Sequence, residues 1–259
     1  MNTDGKSLEI PHETGTIASF LDPNAMASDS VYKSAAPPTA EYYHNDRAEM
    51  LQFLPPNPTR LIDVGCGEGL FGAAVKTRYP GCETWGVELV ADAAQRAALR
   101  NDRIIQTPFE TAAELPDSYF DVVTMNDVLE HIPWPEPALS TARRILRPGG
   151  KLVLSLPNVQ FLLNVLNLVK RNDWEYEDWG ILDRTHFRFY TTKSAARLLE
   201  RNGFQVEAIT GINAMRPKWY YRMIFRLAPR VFRWMPYFQF AIVARPNAAT
   251  DTIDTLPSH

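Results

Sequence analysis

Short apolar segments alternate with amphipathic ones from residue 60 to residue 156, and this alternation constrains the chain more than any other feature. Residues 60–64 (Arg-Leu-Ile-Asp-Val) are too few and too branched for a helix. They run directly into Gly65-Cys66-Gly67-Glu68-Gly69. The pattern then predicts a helix over 70–78, a strand over 84–89, a helix over 91–100, and strands over 103–107 and 120–125. A helix over 135–146, closed by Arg147-Pro148-Gly149-Gly150, leads into a fifth strand over 151–156. Later come a helix over 195–202 ended by Gly203, a strand over 205–210, and a final strand over 237–244. Parallel strands need long crossovers, and helices supply them while covering the sheet. The expected class is therefore α/β, a mostly parallel seven-stranded sheet with helices on both faces.

The flanks read differently. Residues 1–38 are rich in Asp, Ser, Thr, Ala and Pro without periodicity and read as a flexible arm, and 251–259 reads as a disordered tail. Residues 39–54 carry Tyr43, Met50, Phe53 and Leu54 at helical spacing before Pro55-Pro56, so a helix is expected there. The domain proper is then 39–250. With a net charge of −3 there is no general electrostatic case for a nucleic-acid partner. Two cysteines, Cys66 and Cys82, give no disulfide framework, and the first residues lack the pattern of a secretory signal. A cytoplasmic location is the expectation. Charge is uneven, however. From Ala208 to Thr250 there is no acidic residue, while Lys218 and six arginines fall there. Within that basic aromatic segment (214–236), residues 219–234 suit peripheral contact with anionic lipid, a wall over a phosphorylated substrate, or a solvated surface helix.

The glycines after the first strand let the main chain turn sharply and approach a ligand at the carboxyl end of the sheet. Asp63 precedes them, and Glu88 closes the second strand about twenty residues on, where a carboxylate can accept both ribose hydroxyls. These two features suit either a nicotinamide dinucleotide or an adenosyl sulfonium.

Longer segments separate the two. Asp63-Val64-Gly65-Cys66-Gly67-Glu68-Gly69 resembles the first motif of the class I S-adenosylmethionine (SAM)-dependent methyltransferases, and Gly86-Val87-Glu88-Leu89 resembles their second. Asn126-Asp127-Val128-Leu129-Glu130-His131-Ile132-Pro133 resembles the segment after their fourth strand, and Leu146-Arg147-Pro148-Gly149-Gly150-Lys151-Leu152 the turn into their fifth. A dinucleotide enzyme would place glycine where Leu70 stands. The resemblance implies a Rossmann-like sheet with an antiparallel last strand, SAM as cofactor, and methyl transfer. It places Gly65, Cys66 and Gly67 at the methionine part with Asp63 beside them, and Glu88 at the ribose. Leu89, Pro108 and Phe109 would lie by the adenine, and Asn126 near the sulfonium. Thr107-Pro108-Phe109-Glu110 departs from the acidic loop many relatives carry for the adenine amine. Tyr43 and Arg47 fall in a segment resembling a cover over SAM, with Arg47 suited to a carboxylate; Tyr42 reads as packing.

The donor is already activated, so the protein chiefly positions the nucleophile; a hydroxyl nucleophile also benefits from a base. His131 and His186 are the candidates. His131 could act as base, as a metal ligand with Glu130 or Asp127, or simply pack at the rim. That acidic cluster lacks further visible ligands, so no metal site is expected. Leu182-Asp183-Arg184-Thr185-His186-Phe187-Arg188-Phe189-Tyr190-Thr191 resembles a segment over the acceptor pocket in a bacterial subgroup associated with polysaccharide and glycan biosynthesis. His186 is then a base, with Asp183 or Arg184 shaping the pocket, or part of a fixed loop whose Thr191 caps the next helix. Residues 157–192 form an acceptor lid inserted into the minimal fold, or an amphipathic helix packed on the sheet. The leading expectation is methylation of a hydroxyl on a sugar, glycan or related small molecule. An NAD-dependent oxidoreductase and a non-catalytic SAM-binding module are the alternatives.

Overall fold

The computed structural model describes residues 46–215, 223, 225, 226 and 232–247. The chain divides into two units, Met1–Pro37 and Pro38–His259, and all described residues belong to the second. The expected arm (1–38), the tail (251–259), Tyr42, Tyr43 and much of 219–234 lie outside the described residues.

Seven strands form one sheet: β1 (Arg60–Val64), β2 (Glu83–Val87), β3 (Arg103–Ile105), β4 (Phe120–Asn126), β5 (Leu146–Pro157), β6 (Phe204–Ala214) and β7 (Tyr237–Pro246). Their order is β3-β2-β1-β4-β5-β7-β6. β1 to β5 pair in parallel, and β7 runs antiparallel to both of its neighbours, β5 and β6. The helices are α1 (Leu70–Arg78), α2 (Ala91–Ala97), α3 (Pro135–Ile145), α4 (Leu162–Arg171) and α5 (Thr192–Arg201). This is the expected α/β class, with the final strand reversed.

Burial on both faces explains the near-continuous apolar strands. Successive residues serve different cores. Ile62, Val123, Leu152 and Leu154 join one cluster with Leu139 and Leu199 from α3 and α5. Leu61, Val122 and Val153 join another with Phe71 and Val75 from α1. Strand order changes direction between β1 and β4, and a crevice opens beyond the carboxyl ends of such strands.

Several boundaries moved. β5 begins at Leu146, five residues before the predicted start, because Leu146 already pairs with Phe120 before the ladder bulges through Gly149 and Gly150. β6 continues to Ala214 because β7 pairs Gly211 with Phe240 and Ala214 with Tyr237. α2 stops at Ala97, where Leu99 turns out to solvent. The helix expected over 39–54 is not formed in its described part, residues 46–54. Arg47 sits in the left-handed region (φ 50°), and only a 3-10 turn, Ala48–Phe53, follows. Its side chain is drawn inward to Glu49, Asp127 and Ser155. Thr191 caps α5 as expected, accepting from Ser194 N at 3.1 Å.

Candidate active site

The glycine turn is built around one carboxylate. Gly65 N and Cys66 N both donate to Val87 O, at 2.8 and 3.0 Å, which folds the turn back over β2. Glu88 Oε2 accepts from Gly67 N at 2.9 Å and Oε1 accepts from Val90 N at 2.8 Å. A carboxylate has about four lone-pair sites, so two bonds leave capacity for ribose hydroxyls. Gly65 has φ +67°, and a Cβ there would lie 2.8 Å from Val128 Cγ2, so the turn packs directly on the segment after β4. Gly67 also takes positive φ (53°).

Asp63 ends up beneath this turn, 3% exposed. Thr124 Oγ1 donates to its Oδ1 at 2.6 Å, and Asn126 Nδ2 approaches the same oxygen at 3.5 Å. Burial, with a smaller contribution from the Glu88 charge, nevertheless pushes the Asp63 carboxyl up to about 7, against the pull of Thr124 and Arg47. Asn126 Oδ1 is buried without a hydrogen-bond partner among the described residues. A cationic ammonium arriving here would meet a carboxylate that lacks a full countercharge.

Two of the expected cofactor contacts do not use their side chains. The Phe109 ring is 3% exposed and belongs to the core, because the 3-10 turn Phe109–Thr111 points it inward. Only its main chain can meet a ligand. Cys66 Sγ packs toward Gly86, where an added Cβ would lie 2.5 Å away, and burial pushes its thiol far up. Pro108 starts the turn and Leu89 is half exposed, so both stay available as apolar surface. Arg47 is 9% exposed and bonds Asp127, Glu49 and Ser155 Oγ, the last at 2.9 Å. Gln239 Nε2 (2.6 Å) and Ser155 Oγ (2.8 Å) donate to the two oxygens of Asp127. Nothing in the residue pattern announced this network, since its members come from four separated segments.

The two histidines converge. After β4 the turn Leu129–His131 buries Glu130 to 1% exposure, and its carbonyl accepts from Phe187 N at 2.9 Å and Arg188 N at 3.2 Å. Arg188 Nε donates to Pro133 O at 2.8 Å. These bonds clamp residues 183–190 onto the end of β4 and set the His131 and His186 rings edge to face, with centroids 4.6 Å apart. His186 Nδ1 lies 3.1 Å from Ile181 O; a carbonyl only accepts, so Nδ1 carries the proton. Thr185 Oγ1 gives its one hydrogen to Asp183 Oδ1 at 2.6 Å, so it accepts from His131 Nδ1 at 3.1 Å. In these tautomers both Nε2 atoms are unprotonated, with no hydrogen-bond partner among the described residues. Burial, then the neighbouring His186, pushes His131 down to about 4, and burial also lowers His186. Both rings are neutral at physiological pH. Both Glu130 oxygens are buried with no hydrogen-bond partner among the described residues. Burial and the Asp127 charge hold that carboxyl well above the usual range. Trp174 and Tyr176 pack on Phe189, whose ring lies 6.2 Å from His186.

The model of a family described as methyltransferase domain matches residues 39–209. The chain belongs to this family. That membership decides between the two cofactors the glycine turn left open: the protein is a SAM-dependent methyltransferase with a Rossmann-like fold. It is similar to the ubiquinone biosynthesis O-methyltransferase of Xanthomonas euvesicatoria pv. vesicatoria (30% identical over 169 residues, 59% of this chain and 65% of that one). It is equally similar to that of Idiomarina loihiensis (30% over 162 residues, 59% and 64%). The chain thus spans slightly under two thirds of the length of these relatives. The fold is shared with a SAM-dependent methyltransferase of Archaeoglobus fulgidus (TM-score 0.56, 22% identity, covering 76% of this chain and 91% of that one). It is also shared with phosphoethanolamine N-methyltransferase 2 of Haemonchus contortus, solved with SAM (TM-score 0.51, 15% identity, 77% and 52%). No helix among the described residues is long and apolar enough to cross a membrane.

Proposed function

We propose that this methyltransferase acts on oxygen, transferring the SAM methyl to a hydroxyl of a cyclic small molecule, and that the acceptor sits over Glu130, His131 and His186. The observation that carries this reading is the pair of neutral imidazoles whose Nδ1 protons are tied down, leaving two Nε2 lone pairs beside a buried, unpartnered carboxyl. An amine attacks a sulfonium with its own lone pair, whereas a hydroxyl gains from a group that draws off its proton. The cluster follows β4 directly, so the acceptor would meet the sulfonium near Asn126. Asp63, the Gly65–Gly67 main chain, Glu88, Leu89, Pro108 and the main chain of Phe109 would hold the donor, and Arg47 would add positive charge near its carboxylate.

Phe189, Trp174 and Tyr176 supply flat surface on which a ring could stack. A phenolic ring is favoured by the relatives named as ubiquinone biosynthesis O-methyltransferases. A sugar or glycan hydroxyl stays in view through the 182–191 segment. In this reading 157–192 serves as acceptor lid. The test is transfer from methyl-labelled SAM to a panel of catechols, phenols and nucleotide sugars, with products located by mass spectrometry. Label on a ring hydroxyl, lost in His186→Ala while S-adenosylhomocysteine (SAH) still binds, is expected. Label on nitrogen only, or unchanged turnover in both His131→Ala and His186→Ala, overturns the reading.

A further inference from the structure

We propose that Glu130, His131 and His186 bind one divalent transition-metal ion, which coordinates and acidifies the acceptor hydroxyl; the inference rests on the O-methyl transfer reading above. One ligand atom from each of the three side chains lies within 4.8 Å of the others. Bonds of about 2.1 Å put neighbouring ligands of a tetrahedral ion roughly 3.4 Å apart, so the three ligand atoms would draw closer together on binding.

The surroundings are those of ligands rather than of packed side chains. A ligating histidine is held by giving its other ring proton to a carbonyl or to a carboxylate-linked group, and both rings do so here. His186 uses Ile181 O directly. His131 uses Thr185 Oγ1, itself bonded to Asp183, whose Oδ1 also accepts from Thr185 N at 2.8 Å. The lone pairs on the two Nε2 atoms are thereby oriented before any ligand arrives.

Glu130 is the second, independent observation. Its carboxyl is 1% exposed, and neither oxygen has a hydrogen-bond partner among the described residues. Buried carboxyls are normally paired, hydrogen-bonded or on a metal. Among the described residues Glu130 has no ion pair and no side-chain hydrogen bond, only its own main-chain amide close by, while its carbonyl is fixed by Phe187 N and Arg188 N. The main chain therefore holds this carboxyl beside the two imidazoles. Asp127 and Asp183 add negative charge around it.

Two imidazoles and one carboxylate favour Zn2+, Co2+, Fe2+ or Mn2+ over Mg2+ and Ca2+, which prefer oxygen alone. Three protein ligands leave coordination positions open, as catalytic sites require. The acceptor oxygen would take one of them, and a second vicinal oxygen another. The metal-held O–H bond breaks, with its proton passing to water. The oxygen lone pair then bonds the methyl carbon as the carbon–sulfur bond breaks, its electron pair staying on sulfur. Methyl ether, SAH and a proton are the products. The two Nε2 lone pairs that the reading above sets beside the acceptor proton act here through the cation they hold, so in the metal-bound form His131 and His186 are ligands and not the base.

The test uses the full chain stripped with a chelator and titrated with Co2+, followed by equilibrium dialysis and by the visible ligand-field absorption. One ion per chain is expected, with a nitrogen–oxygen spectrum. Affinity should fall roughly a hundredfold or more in Glu130→Gln and in His186→Asn, both retaining SAH binding by calorimetry as proof of fold. Equal Co2+ affinity in wild type and both variants, or no binding by stripped wild type, overturns the metal site. If the stripped wild type still methylates at full rate without binding Co2+, the O-methyl transfer reading stands and this inference falls. If Co2+ binds through the three side chains but only nitrogen is methylated, the site stands and that reading falls.

Discussion

Acidification should loosen SAH from this protein, and Asp63 should be the cause. The Asp63 carboxyl titrates near 7 because it is buried at the end of β1 with only Thr124 as a strong donor. A bound ligand would bring its ammonium group to this point and return the carboxyl toward its ordinary value near 3.8. Below about pH 7 each binding event must then expel a proton, which weakens affinity about tenfold per pH unit. Between about pH 8 and about pH 6 the dissociation constant should rise roughly tenfold, or about 1.4 kcal/mol. Stability of the unliganded protein moves the other way. The folded state keeps the Asp63 proton to higher pH than the unfolded chain, so this contribution is fully present below about 4 and is lost as pH rises through about 7. Its upper size is about 4 kcal/mol. Calorimetric titration with SAH across this range, in buffers of different ionisation enthalpy, reads both affinity and proton release. Asp63→Asn should flatten the affinity slope and raise the melting temperature near pH 8. A slope that survives Asp63→Asn, or a wild type with pH-independent affinity, refutes the reasoning.

Glu88→Ala should weaken SAH by about 2–3 kcal/mol, since it removes the proposed ribose acceptor and frees Gly67 N and Val90 N, and calorimetry would show it. Gly65→Ala should cost about 1–3 kcal/mol of stability in a denaturant titration, because φ +67° is strained for alanine and its Cβ meets Val128. Thr191→Ala should lose about 1 kcal/mol through its α5 cap while leaving SAH affinity unchanged. Asp127→Ala should disturb Arg47 and Gln239 together, lowering SAH affinity more than Glu49→Ala does.

The glycine turn and its partner carboxylate were legible because their determinants are local. Gly65, Gly67 and Glu88 act through a turn and a strand end, and such features leave a mark within a few residues of sequence. Strand ends were less legible where pairing overrides propensity. Gly211 and Asn213 are poor strand formers, yet β7 carries β6 through both. Arg47 departs from the expected helix for a similar reason, because partners in two distant segments, Asp127 and Ser155, outweigh helix periodicity. The histidine cluster was only half legible. His131 and His186 each stood out alone, but their meeting depends on main-chain bonds from Phe187 and Arg188 to Glu130, which no side-chain pattern encodes. Phe109 misled because an aromatic in a ligand-side loop also suits a core, and the 3-10 turn sends it there.

A crystal structure with SAH bound tests the account most directly. Ribose hydroxyls on Glu88, the amino-acid end over Gly65 and Gly67, and the sulfur turned toward His131, Glu130 and His186 are the result predicted. A ligand whose sulfur faces away from those three side chains, or a cleft beside Glu88 that stays empty at saturating SAH, would contradict it.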